Sequence, residues 1–487
     1  MATKSIKKNY VYNLLQQVLN LITPLITTPY ISRVLGVEGI GIYSYTSSIV
    51  FYFALVAALG TATYGQREVS YVQDDKAKLS EVFWNTEIRC VVTTFFCLCF
   101  YVVFIMGQEH NRLVYALLAI TIVDVPLNIS WLFMGMENFG KIVKRNVVVK
   151  VLSIMFIFLF VKDKNDLIIY VLGMTLVITV GNISLWPFLP KIVYAPKWKK
   201  LHPFKDFNVV LSLFIPTIAI SVYTMLDKTM IGVITGDAAE NGYYDQATKI
   251  SRIALSIVAA LGVVMVPRIG FLFEKKDYLQ IQQFMYRSYR FVWFLGIPLC
   301  FGIVGTAPNF VPWFFGPGFD RVIPVLCILS MLVLVIGINN VTGVQYLIPT
   351  KRQNAFTKTV LLGAIVNFAM NLCLIVKFGA IGAAIASVVA ESVIAGAQFV
   401  VVRKELSFLL ILKQSIKYVI AGIIMLIMVL VGNKLLQPSI LNTFILIGSG
   451  ALVYFLLLLL LKDDFFLKNL LNISSNIFLK LKKIFGF

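Results

Sequence analysis

The sequence predicts an all-α integral membrane protein with about 14 transmembrane helices, as two pseudo-symmetric lobes of about six helices plus two C-terminal helices. Three observations support this fold class. Hydrophobic residues make up 59% of the 487 residues and charged residues only 14%, which is typical of membrane proteins. Apolar spans of about 20 residues recur along the whole chain. A short motif near the first span is repeated near the seventh.

Most of the predicted spans are long enough to cross the hydrocarbon core of a bilayer as a helix. In chain order they cover residues 10–32, 41–62, 88–107, 113–134, 147–161, 167–190, 209–234, 243–267, 288–310, 322–348, 359–376, 381–402, 415–433 and 441–461. The lysine-rich start runs on past Pro29 without a small-residue cleavage site. We therefore interpret it as the first transmembrane helix and not as a signal peptide.

Lysine and arginine are distributed unequally between alternating loops. Most of the 43 cations lie in the two tails and in the even-numbered loops. The odd-numbered loops and their helix ends hold Arg33, Arg112, Lys162, Lys164, Arg321, Lys377 and Lys434. By the positive-inside rule, both termini are predicted to be cytoplasmic. Because the basic residues follow the loops, the net charge of +20 indicates membrane topology, and we expect no nucleic-acid partner.

The repeated motif predicts two parallel structural repeats. Each copy has a cation, a glycine, a short loop and then glycine-x-tyrosine. The first copy contains Arg33, Gly36, Gly41 and Tyr43, and the second contains Lys228, Gly232, Gly242 and Tyr244. We therefore expect an N-terminal lobe over 1–206, a C-terminal lobe over 207–402 and two extra spans over 403–461. Transporters built from repeats place their substrate sites at the repeat interface.

The most informative charges are Asp227 and Lys228, which adjoin each other inside the seventh span. A charge in hydrocarbon costs at least about 2.5 kcal/mol, so such charges usually face a protein interior or an aqueous cavity. We interpret the two residues as part of a charged pathway; the alternative is that they only hold helices together. Adjacent helical residues point about 100° apart, so we expect Asp227 to pair with Lys249 or Arg252 while Lys228 faces the pathway.

Further charges occur in other spans. Asp245, Lys249 and Arg252 recur on one face of the eighth span, where snorkelling to the outer surface is the alternative interpretation. Asp124 in the fourth span and Glu391 in the twelfth are lone acids. Each is either a proton or cation site or a carboxyl that stays protonated.

The sequence predicts neither a metal site nor an enzyme. The six cysteines lie in apolar stretches without a CxxC pair, and the two histidines lie alone in loops. Residues 135–142 approach the phosphate-loop pattern, but Ile142 replaces the hydroxyl that would bind Mg²⁺, and a membrane span precedes them. We therefore expect no cofactor. A gradient of H⁺ or Na⁺ is one candidate energy source, and downhill flux of the substrate is another.

Several segments together resemble the polysaccharide repeat-unit flippases, whose superfamily also contains multidrug exporters and lipid II flippases. They are TPYISRVLGVEGIGIYSY at 28–45, WLFMGMENFGKI at 131–142, FVKDKNDLIIY at 160–170, LDKTMIG at 226–232, NGYYDQATKI at 241–250 and FGAIGAAIASVVAE at 378–391. The resemblance implies a flippase that moves an oligosaccharide on undecaprenyl pyrophosphate across the bacterial plasma membrane. Its product would enter capsule, exopolysaccharide or O-antigen synthesis.

The resemblance also implies a cationic central cavity between two lobes that alternate in access. The matching positions, which we expect to bind substrate, are Arg33, Lys228, Lys249 and Arg252. The candidates for ion coupling or charge balance are Asp124, Asp227, Asp245 and Glu391. We expect the lipid-linked oligosaccharide as the main partner, with the polysaccharide polymerase and the glycosyltransferases acting in the same pathway.

Three other functions are the alternatives. An exporter of cationic drugs should have an acidic cavity, whereas spans one, seven and eight carry four cations against two acids. Lipid II flippases have an arginine in the second span, and residues 41–62 contain none; a teichoic-acid precursor is a further alternative substrate. A membrane-embedded glycosyltransferase or polymerase would need a large outer loop or a pair of catalytic carboxylates, and the predicted outer loops are short.

The basic tail over 462–487 alternates large apolar side chains with lysines. This pattern predicts an amphipathic helix on the cytoplasmic surface, with anionic membrane lipids as its partners.

Overall fold

A computed structural model describes residues 6–467, apart from the side chains at 6–11, 13–15, 17, 216, 217, 219, 220, 222, 223, 261, 263 and 264. Over this range the chain is helical and contains no strand. Eleven helices in the described range are long and apolar enough to cross a membrane. The prediction of an all-α, multi-pass membrane protein is therefore confirmed.

The chain divides into two compact units, Met1–Asp245 and Gln246–Phe487. The helices of the first unit are α1 (Ile6–Ala58), α2 (Thr61–Val72), α3 (Lys76–Met106), α4 (Arg112–Leu127), α5 (Ser130–Gly135), α6 (Phe139–Phe160), α7 (Leu167–Ile183), α8 (Leu189–Ile192) and α9 (Phe207–Thr235). The next helix, α10 (Ala238–Glu274), begins in the first unit and ends in the second.

The second unit continues with α11 (Tyr278–Phe315), α12 (Val322–Asn339), α13 (Gln353–Phe378), α14 (Ala380–Val402), α15 (Phe408–Leu435) and α16 (Ile440–Leu460). A π-helical segment, Asn340–Leu347, extends α12. Here α11 packs on α12 and α15, and α13 packs on α14. A core cluster formed by α11, α12, α15 and α16 contains Tyr289, Val333, Tyr418, Met425 and Tyr454.

Every predicted span overlaps a helix, and α1 contains the first span and most of the second. The two parts of α1 meet at Gly36, whose φ of 68° and ψ of 179° are not helical. A positive φ favours glycine, so the motif glycine permits the bend. Because eleven helices of the described range meet the requirement for crossing a membrane, the count of about 14 stays a prediction.

Within the first unit, α1 packs against α3, α4, α6 and α9. One core cluster contains Val50, Tyr101, Tyr115, Ile122 and Val171. The predicted lobe boundary at 206/207 stays a prediction. Most of the predicted basic tail, residues 468–487, lies outside the described residues.

Candidate translocation site

Two adjacent charges of α9 each contact a side chain of α10. Lys228 Nζ lies 2.5 Å from Asp245 Oδ1, and the two side chains are only 15% and 8% exposed. The Tyr244 hydroxyl donates a hydrogen bond of 2.5 Å to Asp227 Oδ2. Consecutive helical residues point about 100° apart, so Asp227 and Lys228 reach different partners on the opposite helix.

The ion pair is buried deeply enough for its two charges to depend on each other. Removing one partner of a buried pair leaves the other charge uncompensated, which costs about 3–5 kcal/mol. Lys228 is therefore neutralised by Asp245 in this conformation. An anion that reached Lys228 would have to compete with the Asp245 carboxylate.

The two copies of the repeated motif pack directly on each other, and their glycines permit the close contact. A Cβ added to Gly41 would lie 1.7 Å from the carbonyl oxygen of Ala238, and one added to Gly242 would lie 2.3 Å from that of Val37. No side chain larger than hydrogen fits at such distances. Glycine at these two positions therefore sets how closely α10 approaches α1.

Hydroxyl groups connect α1 to α9 one residue beyond Lys228. Thr229 Oγ1 lies 2.9 Å from Ser48 Oγ and 3.1 Å from the Tyr52 hydroxyl. The charged cluster formed by Asp227, Lys228, Tyr244 and Asp245 thus adjoins a polar seam between α1 and α9. Together they form a polar region inside helices that are otherwise apolar.

Asp124 belongs to a separate network in the first unit. Asn182 of α7 donates a hydrogen bond of 2.5 Å to Asp124 Oδ2. The side-chain oxygen of Asn182, Oδ1, in turn accepts a hydrogen bond of 2.5 Å from Arg145 of α6, which also donates to Ser130 Oγ at 3.0 Å. The Asn182 side chain thus links Asp124 to the cation Arg145, and the three residues join α4, α7 and α6.

Three predicted site residues, Lys249, Arg252 and Glu391, belong to the second unit. Lys249 Nζ donates a hydrogen bond of 3.2 Å to Gln246 Oε1, and Arg252 is exposed. Glu391 Oε2 accepts a hydrogen bond of 2.6 Å from Asn339, the last residue of α12 before the π-helical segment. A π-helical turn inside a helix is frequent at functional sites.

The structure therefore brings together Lys228 and Asp245 on α9 and α10, with Asp227 beside them. Arg33, in contrast, is exposed, and its guanidinium donates to the Pro29 carbonyl of its own helix at 3.3 Å. The roles of Arg33, Lys249 and Arg252 in substrate binding, and the pairing of Asp227 with Lys249 or Arg252, stay predictions.

Sequence reasoning missed two buried charges of α3, Glu87 and Arg89, which are 3% and 1% exposed. Arg89 donates to the Pro203 carbonyl at 3.3 Å and lies over the Tyr64 ring, with its guanidinium carbon 4.6 Å from the centroid. Neither carboxylate oxygen of Glu87 has a hydrogen-bond partner among the described residues. Glu87 immediately precedes the predicted span 88–107 and Arg89 lies at its start, where a charge would be expected to reach the surface.

No group of His, Cys, Asp and Glu in the described part of the chain has the arrangement of a metal site.

The fold is similar to the folds of solved membrane transporters. It is similar to the lipid II flippase MurJ in an inward closed conformation, with a TM-score of 0.73 and 15% identity over 94% of this chain and 99% of that one. It is also similar to a multidrug resistance MATE family transporter of the MOP superfamily in an inward-facing conformation. That match has a TM-score of 0.63 and 13% identity over 79% of this chain and 94% of the transporter.

Residues 6–273 match the family described as polysaccharide biosynthesis protein. This is more than half of the chain, and the chain therefore belongs to that family. Over 415 residues it is 24% identical to a protein of Escherichia coli (strain K12) named "Putative O-antigen transporter", covering 82% of this chain and 97% of that protein. The motif resemblance is thus confirmed at the level of the family.

Proposed function

We propose that the protein is a flippase that moves oligosaccharide repeat units, linked to undecaprenyl pyrophosphate, from the inner to the outer face of the bacterial plasma membrane. Its membership of a polysaccharide biosynthesis family supports a role in capsule, exopolysaccharide or O-antigen synthesis. The observation that carries the proposal is the buried Lys228–Asp245 pair, which adjoins the contact between the two motif copies.

In this mechanism the pyrophosphate displaces Asp245 from Lys228. An ammonium group has three donors and no acceptor, so it can bind phosphate oxygens as soon as the carboxylate leaves. A cationic site lowers the cost of moving the anionic head group through the protein, while the prenyl chain stays in the lipid. The lobes then rock to open the site to the other side. Arg33, Lys249 and Arg252 extend the same cationic pathway.

The acids supply the means of coupling. Protonation of Asp245 would release Lys228 for substrate, so uptake of a proton and binding of an anion would favour each other. Asp124, Asp227 and Glu391 balance the remaining charge or bind H⁺ or Na⁺. The charge bias predicts that both termini are cytoplasmic. The glycosyltransferases of the pathway would supply the lipid-linked substrate on that side, and the polymerase would use it after transfer to the outer face.

The proposal is tested in a strain whose chromosomal copy is deleted and replaced by a plasmid copy. Arg252→Ala, and separately the double variant Lys228→Met with Asp245→Leu, should abolish surface polymer while protein abundance stays near normal. Lys434→Ala, which removes an exposed cation of a predicted outer loop, is the control and should export normally.

Two measurements distinguish a flippase from a drug exporter. Mass spectrometry of membrane lipids should find the lipid-linked oligosaccharide accumulating in both site variants, and their resistance to cationic drugs should not change. Normal polymer export by both site variants would overturn the proposal, and so would increased drug sensitivity with normal levels of lipid-linked oligosaccharide.

A further inference from the structure

A groove of about 490 Å³ lies between α6 and α7. Its floor is a close contact, because a Cβ added to Gly181 would lie 2.2 Å from Val149 Cγ2. Its apolar wall contains Val148, Leu152 and Val180, whose side chains are exposed. In a helix pair that crosses a membrane, exposed side chains of this kind contact lipid. The wall therefore suits a hydrocarbon chain.

Cations line one end of the same groove. Lys141, Lys144 and Arg145 all come from the start of α6, and none of the lining residues that the structure describes is acidic. The ammonium of Lys141 lies 4.0 Å from the ring centroid of Phe188. Because Arg145 is held by Ser130 and by the amide of α7 described above, the two lysines are the groups that can adapt to a ligand.

A further cation, Lys191 of α8, repels the ammonium of Lys141. Lys141 precedes the predicted span 147–161, and burial, followed by the charge of Lys191 on α8, lowers its pKa. A bound anion would relieve this repulsion. The groove thus offers an anion site at one end and an apolar channel at the other. This arrangement matches the charged head group and the hydrocarbon chain of an ionic lipid.

We propose that this groove binds an anionic phospholipid of the inner leaflet, with its phosphate on Lys141 and Lys144 and an acyl chain along Val148, Leu152 and Val180. Basic pockets between transmembrane helices on the cytoplasmic side bind phospholipid head groups elsewhere. The inference does not depend on the transported substrate.

The lining argues for a phospholipid over a lipid-linked sugar. Among the described lining residues only Ser184 has a hydroxyl, and that hydroxyl donates to the Gly181 carbonyl at 2.6 Å. None of these described residues offers an amide or carboxylate side chain to recognise a sugar. A ligand that contributes only charge and hydrocarbon matches these residues.

The test measures thermal unfolding of the purified full-length protein during titration with four probes: phosphatidylglycerol, phosphatidylcholine, glycerol 3-phosphate and undecaprenyl phosphate. Phosphatidylglycerol should raise the midpoint most. The variant Lys141→Gln with Lys144→Gln should bind it about 30-fold more weakly, because each lysine near a phosphate contributes about fivefold. The control, Lys162→Gln with Lys164→Gln, removes the same charge at the other end of α6 and should bind normally.

If the double variant does not fold, Lys144→Gln alone replaces it, since Lys144 is exposed; the expected loss is then about fivefold. Val180→Asn should weaken phosphatidylglycerol binding through the apolar wall. Unchanged phosphatidylglycerol binding in the lysine variants would overturn the proposal. Equal stabilisation by glycerol 3-phosphate would indicate a free-phosphate site instead, and displacement of phosphatidylglycerol by equimolar undecaprenyl phosphate would indicate a site for the transported lipid.

Discussion

Asp245 has two effects on Lys228 at the scale of single residues. It lets an ammonium stay buried inside α9, and it keeps that ammonium from binding another anion. Tyr244 stabilises the buried Asp227 carboxylate by donating a hydrogen bond from a neutral hydroxyl, and this bond supplies no opposing charge. The stability of the site and its transport activity should therefore respond differently to neutral and to charged substitutions.

Asp245→Asn should destabilise the protein more than removal of the whole pair. The single variant leaves Lys228 buried without its counter-ion, at a cost of about 3 kcal/mol. The double variant Lys228→Met with Asp245→Leu removes both charges and should recover most of that loss. Thermal unfolding of the purified variants measures the two effects. A double variant as unstable as Asp245→Asn would show that packing at this position, and not charge, determines stability.

Some of these contacts could be predicted from residue positions and others could not. The geometry of a helix indicates that Asp227 and Lys228 need different partners, and the apolar span indicates that both are costly. The hydrogen bond from Tyr244 to Asp227 could not be inferred, because an uncharged side chain gives no signal in a pattern of charges. The burial of Glu87 and Arg89 could not be predicted, because it depends on contacts of α3 with residues far along the chain.

At the scale of helices, the repeated motif forms a close contact between α1 and α10 that its sequence alone does not reveal. Repetition predicts two related structural units. That the two copies contact each other, backbone against backbone, follows only from the crossing of α1 and α10. The glycines explain the contact, since a side chain on either would force the helices apart.

Gly41→Ala should destabilise the protein, although alanine favours helices. The new methyl group would lie within bonding distance of the Ala238 carbonyl, and overpacking of this kind costs about 1–3 kcal/mol. Gly396→Ala in α14 is the matched control, because a Cβ there meets nothing within 4 Å. It should be neutral or stabilise the helix by up to about 1 kcal/mol. Equal midpoints of unfolding for the two variants would contradict the close contact.

Asp463 connects three helices just after α16. Its carboxylate accepts hydrogen bonds from Arg290 of α11 at 2.7 Å and from Tyr418 of α15 at 3.0 Å. It also caps the turn that begins the predicted basic tail, through the Phe466 amide at 2.9 Å. Burial pushes its pKa upward, but Arg290 and the Phe466 amide outweigh this effect, so that the pKa is lowered from its usual value.

This lowered pKa predicts how stability depends on pH. A carboxyl with a lower pKa in the folded state contributes stability above its unfolded pKa of about 3.9 and loses it as the pH falls through the folded value. Asp463→Asn should therefore cost about 2 kcal/mol at pH 7, and the difference from wild type should shrink below about pH 4. The exposed neighbour offers a control, Asp464→Asn, for which no such loss is expected. Unfolding curves between pH 3 and 7 measure both; a loss for Asp463→Asn that does not depend on pH would contradict the assignment.

At the scale of the whole molecule, composition and span length were sufficient to predict the membrane class, and ordered motifs were sufficient to predict the family. Both properties are sums over many residues, so errors at single positions average out. The π-helical segment after α12 and the groove between α6 and α7 could not be predicted, because each depends on one local packing arrangement. The membrane topology can be predicted from the sequence, because it depends on a charge bias summed over every loop, but no structural observation tests it.

The charge bias predicts that both termini are cytoplasmic and that successive loops alternate in side. Two exposed positions test it: Asp237, between α9 and α10, should lie outside, and Lys199, in the loop before α9, should lie inside. Single cysteines introduced there, with the six natural cysteines replaced, should react differently with a membrane-impermeant maleimide. Asp237→Cys should be labelled in intact cells, and Lys199→Cys only after the membrane is opened.

Because α9 lies between the two positions, labelling of both from outside would mean that α9 does not cross the membrane. The reverse pattern would invert the topology and place the cationic end of the α6–α7 groove on the outer side.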